Sequence, residues 1–576
     1  MAEILRAEYP RPQFRRKEWL SLNGKWDFSF DEETYDQQIQ VPFAYESKLS
    51  GIGIRDFHET VWYRRTFVLP KEWQDKNVVL HFGAVDYECK VWVNNKLVTY
   101  HVGGQTSFSA DITDFIDCGT NEVKVCVKDY HKDLDIPRGK QFWKEESESI
   151  FYTATTGIWQ SVWLEPISRQ HIKNVFITPQ FDEKAVKFEY ELEHAQDCLL
   201  VTTLTFNGVV ASKSTIDPQN KKGSFSVTLD EATLGCWNVV EDLAWTPENP
   251  RLFDVEFSLK QKDKTVDLVQ SYFGMRKVSI ENGKFLLNNR PYYQKLLLDQ
   301  GYWPEGLLTA PSDEAFIYDI EIAKKMGFNG VRKHQKVEDP RFLYHADRLG
   351  FLVWGEMGTG YNYSRRLVAD TVQEWVETVM RDYNHPSIVV WTPLNESWGT
   401  LEIAQSSEQQ SFCKALYSIT KAIDTTRPVS DNDGWEHVES DLLTIHDYES
   451  NSEILSNRYD ASIEQIVKEQ PAGRALYVKG MQYKNEPIII SEFGGISFEK
   501  GGATGWGYSA AVSEEDFLKR YSDVIAPLLK SKNVQGFCYT QITDVEQEIN
   551  GLLTYDRKPK ANIEDIRKIT YGELVL

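Results

Sequence analysis

The chain has 576 residues, 41% of them hydrophobic and 26% charged, with a formal net charge of -22. That length exceeds what one hydrophobic core serves, so two to four domains are expected. The acidic balance argues against nucleic acid and against an anionic membrane surface, since both call for clustered Lys and Arg. No run of about 18 apolar residues is present to span a bilayer.

The opening segment, Met1 to Arg16, is charged and lacks the apolar core of a signal peptide. The seven Cys are scattered, mostly in apolar stretches such as Val123-Lys-Val-Cys-Val, where reduced buried thiols are expected. A cytoplasmic location is the expectation. The 17 Trp, 28 Tyr and 29 Phe suit either core mass or a site that stacks on sugar rings, and composition does not separate the two.

Residues 1–167 alternate apolar and polar positions in short runs, Lys25-Trp-Asp-Phe-Ser-Phe, Val61 to Val68, Val78 to Phe82 and Glu122 to Val127, parted by turns such as Asn94-Asn95. Many short strands without a strong helix predict a jelly-roll sandwich. Residues 168–275 continue with Lys187 to Leu192, Leu200 to Phe206 and Ser224 to Leu229, the pattern of an immunoglobulin-like sandwich.

From residue 276 to 576 the rhythm becomes strand, loop, helix. Apolar strand candidates fall near 293–298, 330–332, 351–354, 388–391, 428–430, 442–445, 488–490 and 536–539, the fifth being the least certain. Helices are predicted over Ser312–Met326, Arg341–Leu349, Val368–Tyr383 and Glu514–Lys530. Eight strands with intervening helices over about 300 residues make a (β/α)8 barrel.

Catalytic groups of such a barrel stand at the C-terminal strand ends. The fourth strand runs into Asn395-Glu396-Ser397-Trp398-Gly399, and the seventh into Ser491-Glu492-Phe493-Gly494. A lone Glu at a strand end is commonly a solvated or capping carboxylate. Two of them, on strands four and seven, match the need of glycosidic cleavage for one carboxyl that protonates the leaving oxygen and another that meets the anomeric carbon.

With Leu22-Asn-Gly-Lys-Trp-Asp-Phe near the start, Thr156-Gly-Ile-Trp-Gln-Ser-Val-Trp closing the first domain and Phe273-Gly-Met-Arg-Lys entering the barrel, the chain resembles glycoside hydrolase family 2 over nearly its whole length. The resemblance implies a sugar-binding-like jelly roll, an immunoglobulin-like sandwich and a catalytic barrel. It implies Glu396 as general acid/base, Glu492 as nucleophile, and Asn395 as partner of the sugar 2-hydroxyl. Tyr448 resembles the family tyrosine that touches the nucleophile, and Arg332 the arginine beside it. An ordinary loop tyrosine and a rim ion pair are the respective alternatives. On these roles Glu492 is expected ionised and Glu396 raised above the usual carboxylate range.

The sugar pocket departs from familiar members. The Arg-His-Glu run after the first strand is replaced by Asp299-Gln300, and the Ser-His-Tyr-Pro after the second by Lys333-His334-Gln335-Lys336. Tyr539 stands for the expected Trp after the eighth strand, followed by Gln541 and Asp544. The Asn-x-Lys clamp of β-glucuronidases is missing there. Asp299, Gln300, His334, Trp398, Tyr539 and Gln541 are therefore candidate substrate contacts, and Glu356 a supporting carboxylate. Lys333 and Lys336 are either a solvated pair or receivers of a substrate carboxylate. His334 and His345 are near in sequence, but His345 reads as a satisfied helix residue, so no metal site and no cofactor are expected.

A β-galactoside is the favoured substrate, with a furanosidase or uronidase on the same scaffold as the enzymatic alternative and a non-catalytic carbohydrate binder as the other. A carbohydrate substrate is thus the expected partner, without nucleic acid or membrane. The two sandwiches are expected to carry no catalysis but to shape the entrance and the contacts of a homo-oligomer, if one forms.

Overall fold

Period-two burial builds both N-terminal sandwiches. The computed structural model describes residues 5–230, 234–236 and 238–576; residues 1–4 of the opening segment lie outside it. In Thr60–Val68 the side chains of Val61, Tyr63 and Phe67 are buried while their neighbours are more exposed, which turns one face of the strand to the core. That strand sits inside a six-stranded antiparallel sheet, with Gly24–Phe30 on one side and Thr120–Lys128 on the other. A four-stranded sheet built on Val162–Ile167 and Asn77–Phe82 faces it, and Trp26, Phe28, Tyr63, Leu80 and Val91 fill the space between.

The second sandwich packs a three-stranded sheet centred on Ala185–Glu193 against a four-stranded one centred on Cys198–Phe206 and Phe253–Gln261. Phe14 of the N-terminal segment joins its core. Arg16 ties the two sandwiches together through Glu165 and Asp267.

Arg276 then enters the barrel. Its guanidinium donates to the carbonyls of Pro386 at 2.9 Å and Ile388 at 2.7 Å. The hairpin Val278–Glu281 with Lys284–Leu287 supplies Val278, Phe285 and Leu287 to a cluster with Leu296, Leu298, Leu352, Trp354 and Ile489, which closes the base of the barrel. Seven parallel strands pair in the order fourth, third, second, first, eighth, seventh, sixth. They are Ile388–Thr392, Leu352–Glu356, Gly330–Lys333, Gln294–Asp299, Val534–Thr540, Ile488–Gly494 and Leu443–Asp447.

The fifth position is an extended segment instead of a full strand. It touches the fourth strand through Trp391 N to Pro428 O and Ser430 N to Trp391 O. It meets the sixth through Ser430 Oγ, 3.2 Å from Thr444 Oγ1, and through single backbone bonds at its flanks, Asp441 N to Val429 O and His446 N to Gly434 O. Pro428 has no N–H to give a ladder, and the Ser-Asp-Asn-Asp that follows bonds through its side chains. Side chains alternate between fillings here too: Leu297, Val331, Val353, Ile490 and Phe537 pack outward on helices, while Leu296, Leu298, Leu352, Ile489 and Cys538 point in.

The helices largely follow expectation. Asp313–Lys325, Pro340–Leu349 and Glu514–Lys530 have Ser312, Asp339 and Ser513 at their N-caps. The helix predicted from Val368 begins three residues earlier, at Arg365, because Ser364 accepts from Leu367 N and caps it. Among the described residues no helix is long and apolar enough to cross a membrane.

Candidate active site

Two buried layers of the barrel converge on Arg332. From the second strand its guanidinium donates to Glu492 Oε1 at 2.5 Å and to Asn395 Oδ1 at 3.1 Å. Its Nε lies 3.1 Å from Glu356 Oε2, and its Nη1 pairs with Asp433. Desolvation works against its charge, but Glu356 and Glu492 outweigh it and hold the guanidinium above its usual range. Arg332 is fully buried, so its ion pairs lie inside the barrel and not at the rim, and it touches Glu492.

Glu492 would face outward if the seventh strand kept strict alternation after Ile488 and Ile490. A register shift between Ile490 and Phe493 re-aims it. Tyr448 donates to its other oxygen at 2.6 Å, so both carboxylate oxygens carry a donor. Tyr508 stacks on Tyr448 with centroids 3.4 Å apart and ring planes within 9°.

Glu396 stands in left-handed backbone, φ 54°, followed by Ser397 at 57°. A non-glycine residue there costs about 1–3 kcal/mol, and such strain is met where a side chain must be aimed. Its N–H donates to Asp433 O at 3.0 Å. Oε2 accepts from Trp398 Nε1 at 3.2 Å, and Oε1 lies 2.8 Å from His446 Nδ1. A carboxylate oxygen of Glu396, one of Glu492 and a ring nitrogen of His446 all lie within 4.8 Å of one another. Such a trio could bracket a cation, but donors from Arg332, Tyr448 and Trp398 already occupy three of the four carboxylate oxygens.

Burial pushes the Glu396 carboxyl up, yet the His446 hydrogen bond and charge and the ammonium of Lys140 bring it below the ordinary value. This reverses the raised value expected from sequence. The reason is His446 of the sixth strand, to which no role is expected from the sequence. A hydrogen bond of 2.8 Å between Nδ1 and Oε1 needs one proton between the two atoms. Glu356, buried and near Glu492, is pushed up to about 7 by desolvation, with Arg332 opposing.

Asn395 is fully buried; with Oδ1 engaged by Arg332, its Nδ2 has no partner among the described residues. Gln300 and Gln541 come together, Nε2 of the first donating to Oε1 of the second at 2.8 Å, and leave Gln300 Oε1 and Gln541 Nε2 unpaired among the described residues. His334 accepts from Arg332 through Nδ1 at 2.8 Å. Burial holds its ring neutral, far below the usual imidazole value, with Lys140 and Arg332 adding to the effect, which leaves Nε2–H as the donor. Trp398 lies against Tyr361, centroids 5.3 Å apart, and Phe151 of the first sandwich, 6.2 Å.

Other candidates are engaged within the protein. Asp299 accepts from Gly301 N at 2.8 Å and pairs with Lys333. Lys333 and Lys336 are neither solvated nor open to a substrate carboxylate, because both are buried and both pair with Glu338. Tyr539 turns away from the pocket and packs between Phe493 and Tyr521 of the helix Glu514–Lys530, with centroids at 5.6 and 5.1 Å. It is Thr540 that faces in, with Oγ1 3.1 Å from the Tyr448 hydroxyl. His345 is satisfied as read, by Asp313 at 2.8 Å and Arg348 at 2.9 Å.

The first sandwich also reaches the barrel. Tyr152 donates to Glu548 at 2.5 Å and Thr153 Oγ1 to Glu546 at 2.5 Å. Burial raises the Glu548 carboxyl despite Lys140 and Tyr152. No local sequence signal marks these contacts, since their partners are nearly four hundred residues apart.

Residues 20–165 match the glycosyl hydrolases family 2 sugar binding domain, 170–276 the glycosyl hydrolases family 2 domain and 278–573 the family's TIM barrel domain. The chain belongs to glycosyl hydrolases family 2. It is 26% identical over 428 residues to a β-galactosidase of Thermoanaerobacter pseudethanolicus, an alignment covering 71% of this chain and 54% of that protein, so it spans about half that relative's length. It is 24% identical over 626 residues to a β-glucuronidase of Paenibacillus borealis, covering 98% of each. A solved β-D-glucuronidase of Dictyoglomus thermophilum superposes with a TM-score of 0.79 at 21% identity, over 98% of this chain and 99% of the other.

Proposed function

We propose that the protein is a retaining exo-β-glycosidase in which Glu492 is the nucleophile and Glu396 the general acid/base. The observation that carries this is the approach of the two carboxyls, with oxygens within 4.8 Å. Retaining enzymes set the pair about 5–5.5 Å apart, whereas inverting ones leave about 6.5–9.5 Å for a water. Glu492, steadied by Arg332 and Tyr448, attacks the anomeric carbon while Glu396 passes its proton to the leaving oxygen. Glu396 then takes a proton from water as that water attacks the anomeric carbon, releasing Glu492. Asn395 Nδ2 offers the free donor for the 2-hydroxyl, a contact that strengthens toward the oxocarbenium-like transition state.

For the glycone, a β-glucuronide comes first on the names of the similar proteins, which include β-glucuronidases that align along nearly the whole chain. A β-galactoside comes second, supported by a β-galactosidase among them. A panel of nitrophenyl β-glycosides, with proton NMR of the first-formed sugar, tests both levels. Turnover with a retained product supports the mechanism. An inverted first product, or no turnover on any member, defeats it.

A further inference from the structure

A loop of the first sandwich enters the mouth of the barrel. Arg138 N and Gly139 N both donate to Thr359 O, at 3.1 and 3.0 Å, and Tyr361 donates to Gly139 O at 2.5 Å. Gly139 sits at φ +62°, where an added Cβ would stand 2.2 Å from Gln335 O and 3.6 Å from the Gly358 Cα. The loop is therefore wedged against the segments that follow the second and third barrel strands. Arg138 braces it by donating to the carbonyls of His131 and Tyr130.

The residue this wedge delivers is Lys140. It is only 7% exposed, and its ammonium has neither an ion pair nor a hydrogen bond among the described residues; its recorded neighbour is the Phe151 ring, 6.0 Å away. Other buried lysines of the barrel are treated differently. Lys333 and Lys336 pair with Glu338, and Lys560 pairs with Asp544 at 2.6 Å. The ammonium itself is not among the enclosed polar atoms that lack a partner, so its tip keeps an opening to solvent and stands free for a ligand. The charge acts on Glu396, Glu548 and His334, which places it at the sugar pocket.

We propose that Lys140 is a substrate-binding residue lent to the barrel by the first sandwich, its ammonium donating to an acceptor oxygen of the glycone. This rests on the glycosidase reading above. The oxygen belongs to a hydroxyl of a neutral sugar or to the carboxylate of a uronoside, and a lysine suits both.

The test is kcat/KM of the full chain and its K140M and K140Q variants on nitrophenyl β-galactoside and β-glucuronide, with pH profiles and thermal unfolding. Each variant is expected to lose about 10- to 100-fold, the range for a hydrogen bond to a charged group, with no fall in Tm. Loss confined to the glucuronide identifies a carboxylate contact; loss on the galactoside identifies a hydroxyl. Wild-type turnover with unchanged variants overturns the assignment alone. So does a shifted pH profile with unaltered kcat/KM at the optimum, since Lys140 would then act only on Glu396. A large fall in Tm overturns it too, by marking a structural role. Absence of wild-type turnover on every glycoside removes the glycosidase reading and this one with it.

Discussion

His446 Nδ1 lies 2.8 Å from Glu396 Oε1, and its Nε2 lies 2.8 Å from Asp433 Oδ2. One imidazole thus joins the proposed acid/base to a carboxylate that Arg332 also holds, and Arg332 in turn bonds Glu492. The two proposed catalytic carboxyls are linked through a single buried network, so a change at His446 is felt at Glu396 first.

Replacing His446 with Phe keeps a flat ring and removes the bond and the charge that hold Glu396 down. Burial is then less opposed and the Glu396 carboxyl rises. Because glycosylation needs Glu396 protonated, the basic limb of the kcat/KM profile should move to higher pH. The optimum value should fall by about 10- to 100-fold. A limb that stays in place, or moves down, removes His446 from this role.

Glu492→Ala should lower turnover about 10⁴-fold or more on every substrate, with azide restoring it and giving a glycosyl azide of inverted configuration. Glu396→Ala should harm poor leaving groups far more than activated aryl ones, and azide should give a retained product. Product stereochemistry by NMR decides. The same azide configuration from both variants would falsify the division of roles.

Strand alternation explains what the sequence made legible and what it did not. The strand-end rule finds Glu396 and Glu492, although Glu492 reaches the pocket only through the register shift after Ile490. In the sixth strand Leu443 and Ile445 pack outward, so Thr444, His446 and Tyr448 share the inner face. Alternation alone would have singled out His446. In the eighth, Cys538 points in, which assigns Thr540 to the pocket and Tyr539 to the helices. The same rule separates Arg332 from Lys333 and Gln300 from Asp299. Lys140, Tyr152 and Tyr508 carry no such local signal, because their place depends on how distant segments dock on the barrel.

Glu356 makes stability depend on pH. Burial pushes its carboxyl up from 4.5 to about 7, so the folded state holds a proton that the unfolded state has released. That contribution is complete below about 4.5 and is lost as the pH rises through about 7. Against a Glu356→Gln variant, which cannot titrate, the wild type should lose relative stability between pH 5 and pH 8, with a slope of at most about 1.4 kcal/mol per pH unit. Thermal unfolding of both proteins across that range measures it. A difference in stability that does not change with pH would show that Glu356 is not held up.

Gly139→Ala tests whether the first sandwich completes the site. The new methyl would stand 2.2 Å from Gln335 O in a backbone conformation of φ +62°, and a carbonyl in a barrel loop is not the far end of a flexible side chain that could swing aside. The wedge must therefore back out of the mouth. Strain of about 1–3 kcal/mol for the left-handed alanine adds to the clash. Retreat breaks the bonds to Thr359 and Tyr361 and withdraws Lys140, while the two sandwich cores and the barrel's outer core, none of which takes a side chain from residues 138–140, stay intact. The expected outcome is a cooperative, folded protein whose kcat/KM falls by at least about 10-fold. Near-UV circular dichroism should change little beyond the contribution of Tyr361 and Trp398. Activity equal to wild type would mean that the loop can shift without disturbing the pocket, and the sandwich would then be an entrance wall and no more.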